Sequence, residues 1–276
     1  MSDFAETEGV NPRSRDIDLK TTSEILSIIN AEDATVAAEV KKALPEIVPV
    51  VDLIVEKLDA GGRLIYVGVG TSGRLAVQDA AECPPTYGVP VETVTAIIAG
   101  GVDAMIHPVE SAEDDAAAGT AAIVEAGVNP NSLVLGISAN GNTPYVCGAL
   151  AEAKKRGAAT AVLLCNKSGK IEDNADLAIH VLTGAEVISG STRMKAGTAQ
   201  KMVLNMLTTA AMIRLGRVTG NFMTAMQPIN AKLRKRAVFI VSNVTSLPPK
   251  FAEKALDTNN WNIRAAIQEL RQIQGR

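Results

Sequence analysis

Between residues 61 and 217, short apolar runs alternate with alanine-rich segments of helical length. No other feature constrains the fold as much. The runs fall at residues 64–68, 94–99, 133–137, 160–165 and 177–181. They are too short for stable helices and do not alternate polar with apolar side chains, as strands buried on both faces do not. Helical segments are expected between them at 72–83, 111–125 and 144–156, with a short one near Ile171 and a long one at 198–215. Strand–helix alternation with short connections implies a parallel sheet covered on both faces. The fold class is therefore α/β, a three-layer αβα sandwich around a five-stranded parallel sheet.

The flanks read differently. The first ten to fifteen residues look like a loose arm. Helical spacing follows, with Ser23 placed to cap it and Ile25, Ile28 and Ile29 on one face. A second helical stretch is expected to be interrupted at Pro45 and Pro49 and to end at Gly61-Gly62. From Asn221 onward there is no strand pattern. Three or more short helices are split at Ser246-Leu247-Pro248-Pro249 and at Thr258-Asn259-Asn260, with Trp261 as the anchor of a small bundle. This divides the chain into N-terminal arm and helices (1–60), an α/β domain (61–217) and a C-terminal helical domain (218–276).

Composition excludes several classes. Aromatics make up only 3%, too few for base-stacking platforms, and a net charge of −3 disfavours neutralising a nucleic-acid backbone. The opening "MSDFAETEGV" is acidic and polar, not a secretory leader, and no apolar stretch is long enough to span a bilayer. Cys83, Cys147 and Cys165 are odd in number and far apart, which suggests a reducing compartment; cytoplasmic is the expected location. His107 and His180 lack zinc-motif spacing. The basic run Lys232, Arg234, Lys235 and Arg236 reads as a solvated helix face. The methionines at 194, 202, 206 and 212 read as core on one long helix.

The first apolar run ends in Gly68-Val-Gly-Thr-Ser-Gly73, a G-x-G-x-x-G turn. A dinucleotide site would need a carboxylate at the tip of the second strand for the ribose hydroxyls. That strand ends in "AIIAGG", with no acid at its tip. The turn instead carries Thr71, Ser72 and Gly73 at a helix N-terminus, where backbone N–H groups and the helix dipole favour an anion. A second turn, Ser138-Ala-Asn140-Gly-Asn-Thr143-Pro144, opens the next crossover with similar chemistry. Two such turns suit one compact phosphate better than a pyrophosphate. Thr71, Ser72, Gly73, Ser138, Asn140 and Thr143 are the candidate phosphate contacts.

This pair of turns resembles the sugar isomerase (SIS) fold of phosphosugar-binding proteins, with Asn140 where that pattern usually has a second Ser. Three segments narrow the resemblance: "GVGTSGRLAVQDAAECPPTYGV", "IIAGGVDAMIHPVESAEDD" and "GAEVISGSTRMKAGTAQKMVLNML". The chain is identified by them as similar to the N-acetylmuramic acid 6-phosphate etherase family. That resemblance implies a lyase of cell-wall sugar recycling that releases D-lactate and N-acetylglucosamine 6-phosphate. It also implies Glu82 and Glu113 as the two functional glutamates, no metal or other cofactor, and a homodimer. The alternative is a non-catalytic phosphosugar sensor, since the glucokinase regulatory protein resembles this family.

Elimination beside an aldehyde carbonyl needs a base at C2 and an acid at the departing ether oxygen. Glu82 reads as the end of a helix stopped by Pro84-Pro85, where the dipole favours the protonated form. Glu113 reads as the first turn of a helix boxed by Ser111 and Asp114, where the dipole favours the anion. Glu82 is thus the expected acid and Glu113 the base. Ser191, Arg193 and Lys195 of the signature loop are candidate contacts for the phosphate or the lactyl carboxylate. Arg193 and Lys195 could equally bridge subunits or cap elements.

Overall fold

The apolar runs pair edge to edge. In the computed structural model, which describes residues 6–275, β1 (Arg63–Gly68), β2 (Val94–Ile98), β3 (Ser132–Ser138), β4 (Ala159–Leu164) and β5 (Leu177–His180) form one parallel sheet. The strand order is β2-β1-β3-β4-β5, with Gly68 opposite both Ile98 and Ile137. Every residue of β3 is buried, which explains why its sequence shows no polar alternation.

The chain forms two compact units. The first runs from the first described residue to Ala80 and from Glu92 to Thr208. It contains the sheet and the helices α1 (Thr22–Asp33), α2 (Val36–Lys42) and α3 (Leu44–Asp59) that precede it. It also holds most of α4 (Gly70–Tyr87), then α5 (Ala116–Glu125), α6 (Pro144–Lys155) and most of α7 (Lys195–Arg214). On one face of the sheet, Ile65, Val67, Val134, Val162 and Leu164 pack with Ile123 of α5 and with Val146, Ala149 and Leu150 of α6. α3 lies against β1, β3 and β5 and buries Ile47, Val50 and Ile54.

Several helix ends differ from the sequence expectation. Thr21, not Ser23, caps α1 through a reciprocal box with Glu24, an arrangement worth about 1 kcal/mol. α3 starts beside Pro45, where a missing N–H costs nothing, and continues through Pro49. The long helix α7 starts three residues earlier than expected. Along it Met212 is buried, but Met206 is 37% exposed.

The N-terminal segment is not a loose arm. Residues 1–5 lie outside the described residues. From there the chain makes three short 3-10 turns (Glu6–Glu8, Pro12–Ser14 and Ile17–Leu19), and side-chain hydrogen bonds fix the first two. The Ser14 hydroxyl donates to Val187 O at 2.7 Å, the Asn11 amide to Ala185 O at 3.3 Å, and the Ser189 hydroxyl to Glu8 O at 3.0 Å.

The second unit comprises Ala81–Val91 and the chain from Thr209 onward. Its helices α8 (Ala231–Thr245), α9 (Pro249–Thr258) and α10 (Ile263–Ile273) enclose a small core of Ile240, Val241, Leu256, Ile263, Ile267 and Leu270. Trp261 packs on that core, with the Arg234 guanidinium 4.8 Å from its ring centroid. Among the described residues no helix is long and apolar enough to cross a membrane.

Candidate active site

The two strand-to-helix turns meet at the carboxyl ends of β1 and β3. They line a cleft of about 230 Å³ together with Glu113, Gly190, Thr192 and Glu8. Among the described residues no Lys or Arg lines it. Attraction for an anion must therefore come from hydroxyls, amides and helix ends.

At the first turn, α4 begins at Gly70, two residues before the expected start, and Val69 to Ser72 line the cleft. First-turn N–H groups lack acceptors inside their own helix, so this end is an anion site in the making. Gly73 serves a different purpose from the phosphate contact expected of it. Its N–H is bonded to Val69 O, and a Cβ there would lie 2.6 Å from Ile98 Cγ1 and 2.8 Å from Gly68 O. It is glycine so that α4 can pack tightly on β1 and β2. The Ser72 hydroxyl is buried and donates to Gln200 Oε1 at 2.9 Å, which leaves Thr71 as the less committed hydroxyl of this turn.

The second turn is organised by Ser138. Its hydroxyl accepts from Gly141 N at 3.0 Å and lies 2.8 Å from Thr143 Oγ1. Thr143 in turn donates to Glu113 Oε1 at 3.2 Å. The result is a chain of donors, Gly141 N–H to Ser138 to Thr143, that ends on the Glu113 carboxylate; such chains polarise one another. Asn140 Oδ1 accepts from Asn142 N at 2.8 Å and lies 3.1 Å from Ser138 Oγ, whose proton the chain commits to Thr143, so its NH₂ group is the part left to donate. Gly141 N and Asn142 N are spent within the turn itself.

Glu113 does not stand in the first turn of a helix. α5 starts at Ala116 and is capped by Asp115, which accepts from Ala118 N at 2.8 Å. Ser111 belongs to a separate 3-10 turn, Glu110–Ala112. Glu113 occupies the gap and is held from two sides, its carbonyl by Tyr145 N at 3.0 Å and its carboxylate by Thr143. Positioning by the second turn replaces the expected effect of a helix dipole.

Glu82 also differs from expectation. α4 does not stop at Pro84-Pro85 but continues to Tyr87, so Glu82 is not in the last turn. Its side chain is exposed.

Of the signature-loop candidates, Gly190 and Thr192 line the cleft, whereas Ser191, Arg193 and Lys195 do not. Arg193 is exposed. Lys195 is 2% exposed, and its Nζ lies 2.8 Å from Glu32 Oε2. Glu32, 1% exposed, also pairs with Arg13 and accepts from the Asn11 amide at 2.8 Å. Burial alone would raise the Glu32 carboxyl, but the hydrogen bonds from Lys195 and Asn11 and the charges of Lys195 and Arg13 hold it below the usual carboxylate value. Beside it, buried Glu186 accepts from Lys195 N and Ala196 N, each at 2.9 Å, and so caps α7. Burial outweighs these donors and pushes the Glu186 carboxyl up. This cluster fixes the signature loop and the N-terminal segment.

Sequence reasoning passed over Glu8, Gln200 and Asn166. Asn166 donates to Thr7 Oγ1 at 3.2 Å and to Asn140 O at 3.1 Å, tying the N-terminal segment to the second turn. None of the three sits in a recognisable spacing.

A parallel five-stranded sheet with two such turns meeting at its carboxyl edge defines a protein of the SIS class. Residues 46–154 match the glucokinase regulatory protein N-terminal SIS domain, residues 116–210 the SIS domain, and residues 238–276 the TAP C-terminal domain. Among solved structures, a phosphoheptose isomerase from Francisella tularensis superposes with a TM-score of 0.56 at 17% identity. That match covers 70% of this chain and 98% of the other. An Escherichia coli CFT073 protein in complex with A5P gives 0.53 at 17% identity, over 74% of this chain and 97% of the other. Closer relatives are two proteins named N-acetylmuramic acid 6-phosphate etherase. The one from Mesorhizobium japonicum is 49% identical over 265 residues, 96% of this chain and 86% of its own. The one from Symbiobacterium thermophilum is 50% identical over 264 residues, 96% and 88%. The chain belongs to the N-acetylmuramic acid 6-phosphate etherase family.

Proposed function

We infer that the protein cleaves the D-lactyl ether of N-acetylmuramic acid 6-phosphate, giving N-acetylglucosamine 6-phosphate and D-lactate. Family membership supports the reaction, and one observation supports where it happens. Glu113 is bonded through Thr143 to the turn that would hold the phosphate. The base and the anion site are parts of one hydrogen-bonded unit.

The chemistry follows from the substrate. An ether oxygen is a poor leaving group, but in the ring-opened aldehyde the C2 hydrogen is acidic. Glu113 removes that proton, the C3–O bond breaks, and lactate departs as its oxygen is protonated. Water then adds to C3 of the unsaturated aldehyde and a proton returns to C2. Ether plus water becomes alcohol plus lactate, with no change of oxidation state and no call for a redox cofactor. Thr71, the first turn of α4, the Asn140 amide and Thr192 bind the phosphate. Ser72 and Ser138 hold these groups in place.

Glu82 is the acid in this account. It is exposed, and a homodimer in which one copy completes the other's site is the arrangement we propose for it. Val102 and Ile106, 83% and 78% exposed, are apolar surface on the segment leading to Glu113 that a second copy would cover.

Release of D-lactate from N-acetylmuramic acid 6-phosphate tests the reading. A purified protein that binds the substrate without releasing lactate would instead be a phosphosugar sensor.

A further inference from the structure

Glu8 lines the cleft, yet the proposed reaction gives it no role. Its neighbour in sequence, Glu6, pairs with Lys167 at 2.6 Å, whereas Glu8 makes no ion pair among the described residues. Its position is nonetheless firmly built. The Ser189 hydroxyl reaches the carbonyls of Glu8 and Gly9 at 3.0 and 3.1 Å. Thr7 N donates to Asn166 Oδ1 at 3.4 Å, and Asn166 is itself bonded to the second turn. The carboxylate lies over Gly190, where an added Cβ would stand 2.8 Å from Glu8 Oε2 and where φ is +73°. Gly190 is therefore glycine for two reasons, one of them the room taken by Glu8.

A carboxylate facing an anion cradle repels a bare phosphate. It is an acceptor only, so it becomes favourable when a donor lies between it and the phosphate. The hydroxyls of a phosphosugar place such donors beyond the phosphate, on the sugar carbons, whereas the P–OH groups of inorganic phosphate lie within the cradle itself. We propose that Glu8 is a specificity residue that accepts hydrogen bonds from the sugar hydroxyls nearest the phosphorylated carbon. The cleft thereby prefers phosphosugars to inorganic phosphate. The proposal rests on the etherase reading for the identity of the sugar, but not for its test.

The test is calorimetric binding of N-acetylglucosamine 6-phosphate and of inorganic phosphate to the full chain, as wild type, Glu8→Ala and Glu8→Gln. Glu8→Ala is expected to weaken the sugar phosphate about ten- to hundredfold, the worth of a hydrogen bond to a charged group, while inorganic phosphate binds as well or better. Glu8→Gln, which keeps one acceptor but not the charge, is expected to fall between. Gly190→Ala crowds the carboxylate without removing its charge, so it should weaken the sugar phosphate with no gain for inorganic phosphate. Equal losses for both ligands in Glu8→Ala would mean that the residue only latches the N-terminal segment, and would overturn the proposal. So would unchanged binding of both. Failure of the etherase reading would appear separately, as wild type that releases no lactate.

Discussion

Replacing Lys195 with Met separates a ligand from a strut. Met keeps most of the apolar stem and removes the ammonium, which leaves Glu32 1% exposed with one of its charged partners gone. Breaking a buried ion pair from one side costs about 3–5 kcal/mol. Arg13 and the Asn11 amide still face Glu32, so the low end, about 3 kcal/mol, applies. For a chain of this length each kcal/mol moves the melting temperature by about 2–4 °C, giving a drop of about 6–12 °C. Combining Lys195→Met with Glu32→Gln should recover part of the loss, because the stranded carboxylate is what destabilises. Inorganic phosphate affinity, measured well below the melting point, should stay within about twofold, under 0.5 kcal/mol. A variant that melts like wild type but binds phosphate about tenfold more weakly would refute the structural role and make Lys195 a ligand.

Three other outcomes follow from the same geometry. Thr143→Val removes the hydroxyl that holds Glu113. Loss of a hydrogen bond to a charged group, about 1.5–3 kcal/mol, should lower kcat about ten- to hundredfold with a smaller change in KM; an unchanged kcat would dismiss the donor chain. Because the folded-state Glu32 carboxyl lies below its ordinary 4.5, its contribution is complete above that pH and lost as the pH falls through the lowered value. The gap in melting temperature between wild type and Glu32→Gln should therefore narrow in acid, and a constant gap would contradict the assignment. Cys165 is fully buried with its thiol pushed up to about 12, chiefly by burial, so iodoacetamide at neutral pH should leave it unmodified in the native protein.

The sequence resolved what depends on continuous local patterns. Strands buried on both faces leave unbroken apolar runs, and β1 to β5 fall within one or two residues of those runs. The two turns were legible because Gly, Ser, Thr and Asn clustered where strands gave way to helices. Helix ends were harder, because each is decided by competition. Pro84 and Pro85 deprive the carbonyls of Ala80 and Ala81 of their helical donors, yet buried Cys83 and Tyr87, and the Tyr87 hydroxyl bond to Thr209, keep α4 intact. Asp115 outcompetes Ser111 as a cap, and this moves Glu113 out of the helix. Long-range partners left no local trace. Glu32 is 163 residues from Lys195, and Thr7 is 159 from Asn166. No spacing rule could turn Lys195 inward or bring Glu8 into the cleft.

The central claim is that Glu113 takes the C2 proton in an elimination that releases lactate. The direct measurement is turnover of N-acetylmuramic acid 6-phosphate in deuterium oxide, read by proton NMR at C2 of the product, for wild type and Glu113→Gln. Wild type should release D-lactate and place deuterium at C2. Glu113→Gln should lose both lactate release and C2 exchange, by about a hundredfold or more, while still binding the sugar phosphate. Product formed with its original C2 hydrogen, or C2 exchange at the wild-type rate in Glu113→Gln, would contradict the account.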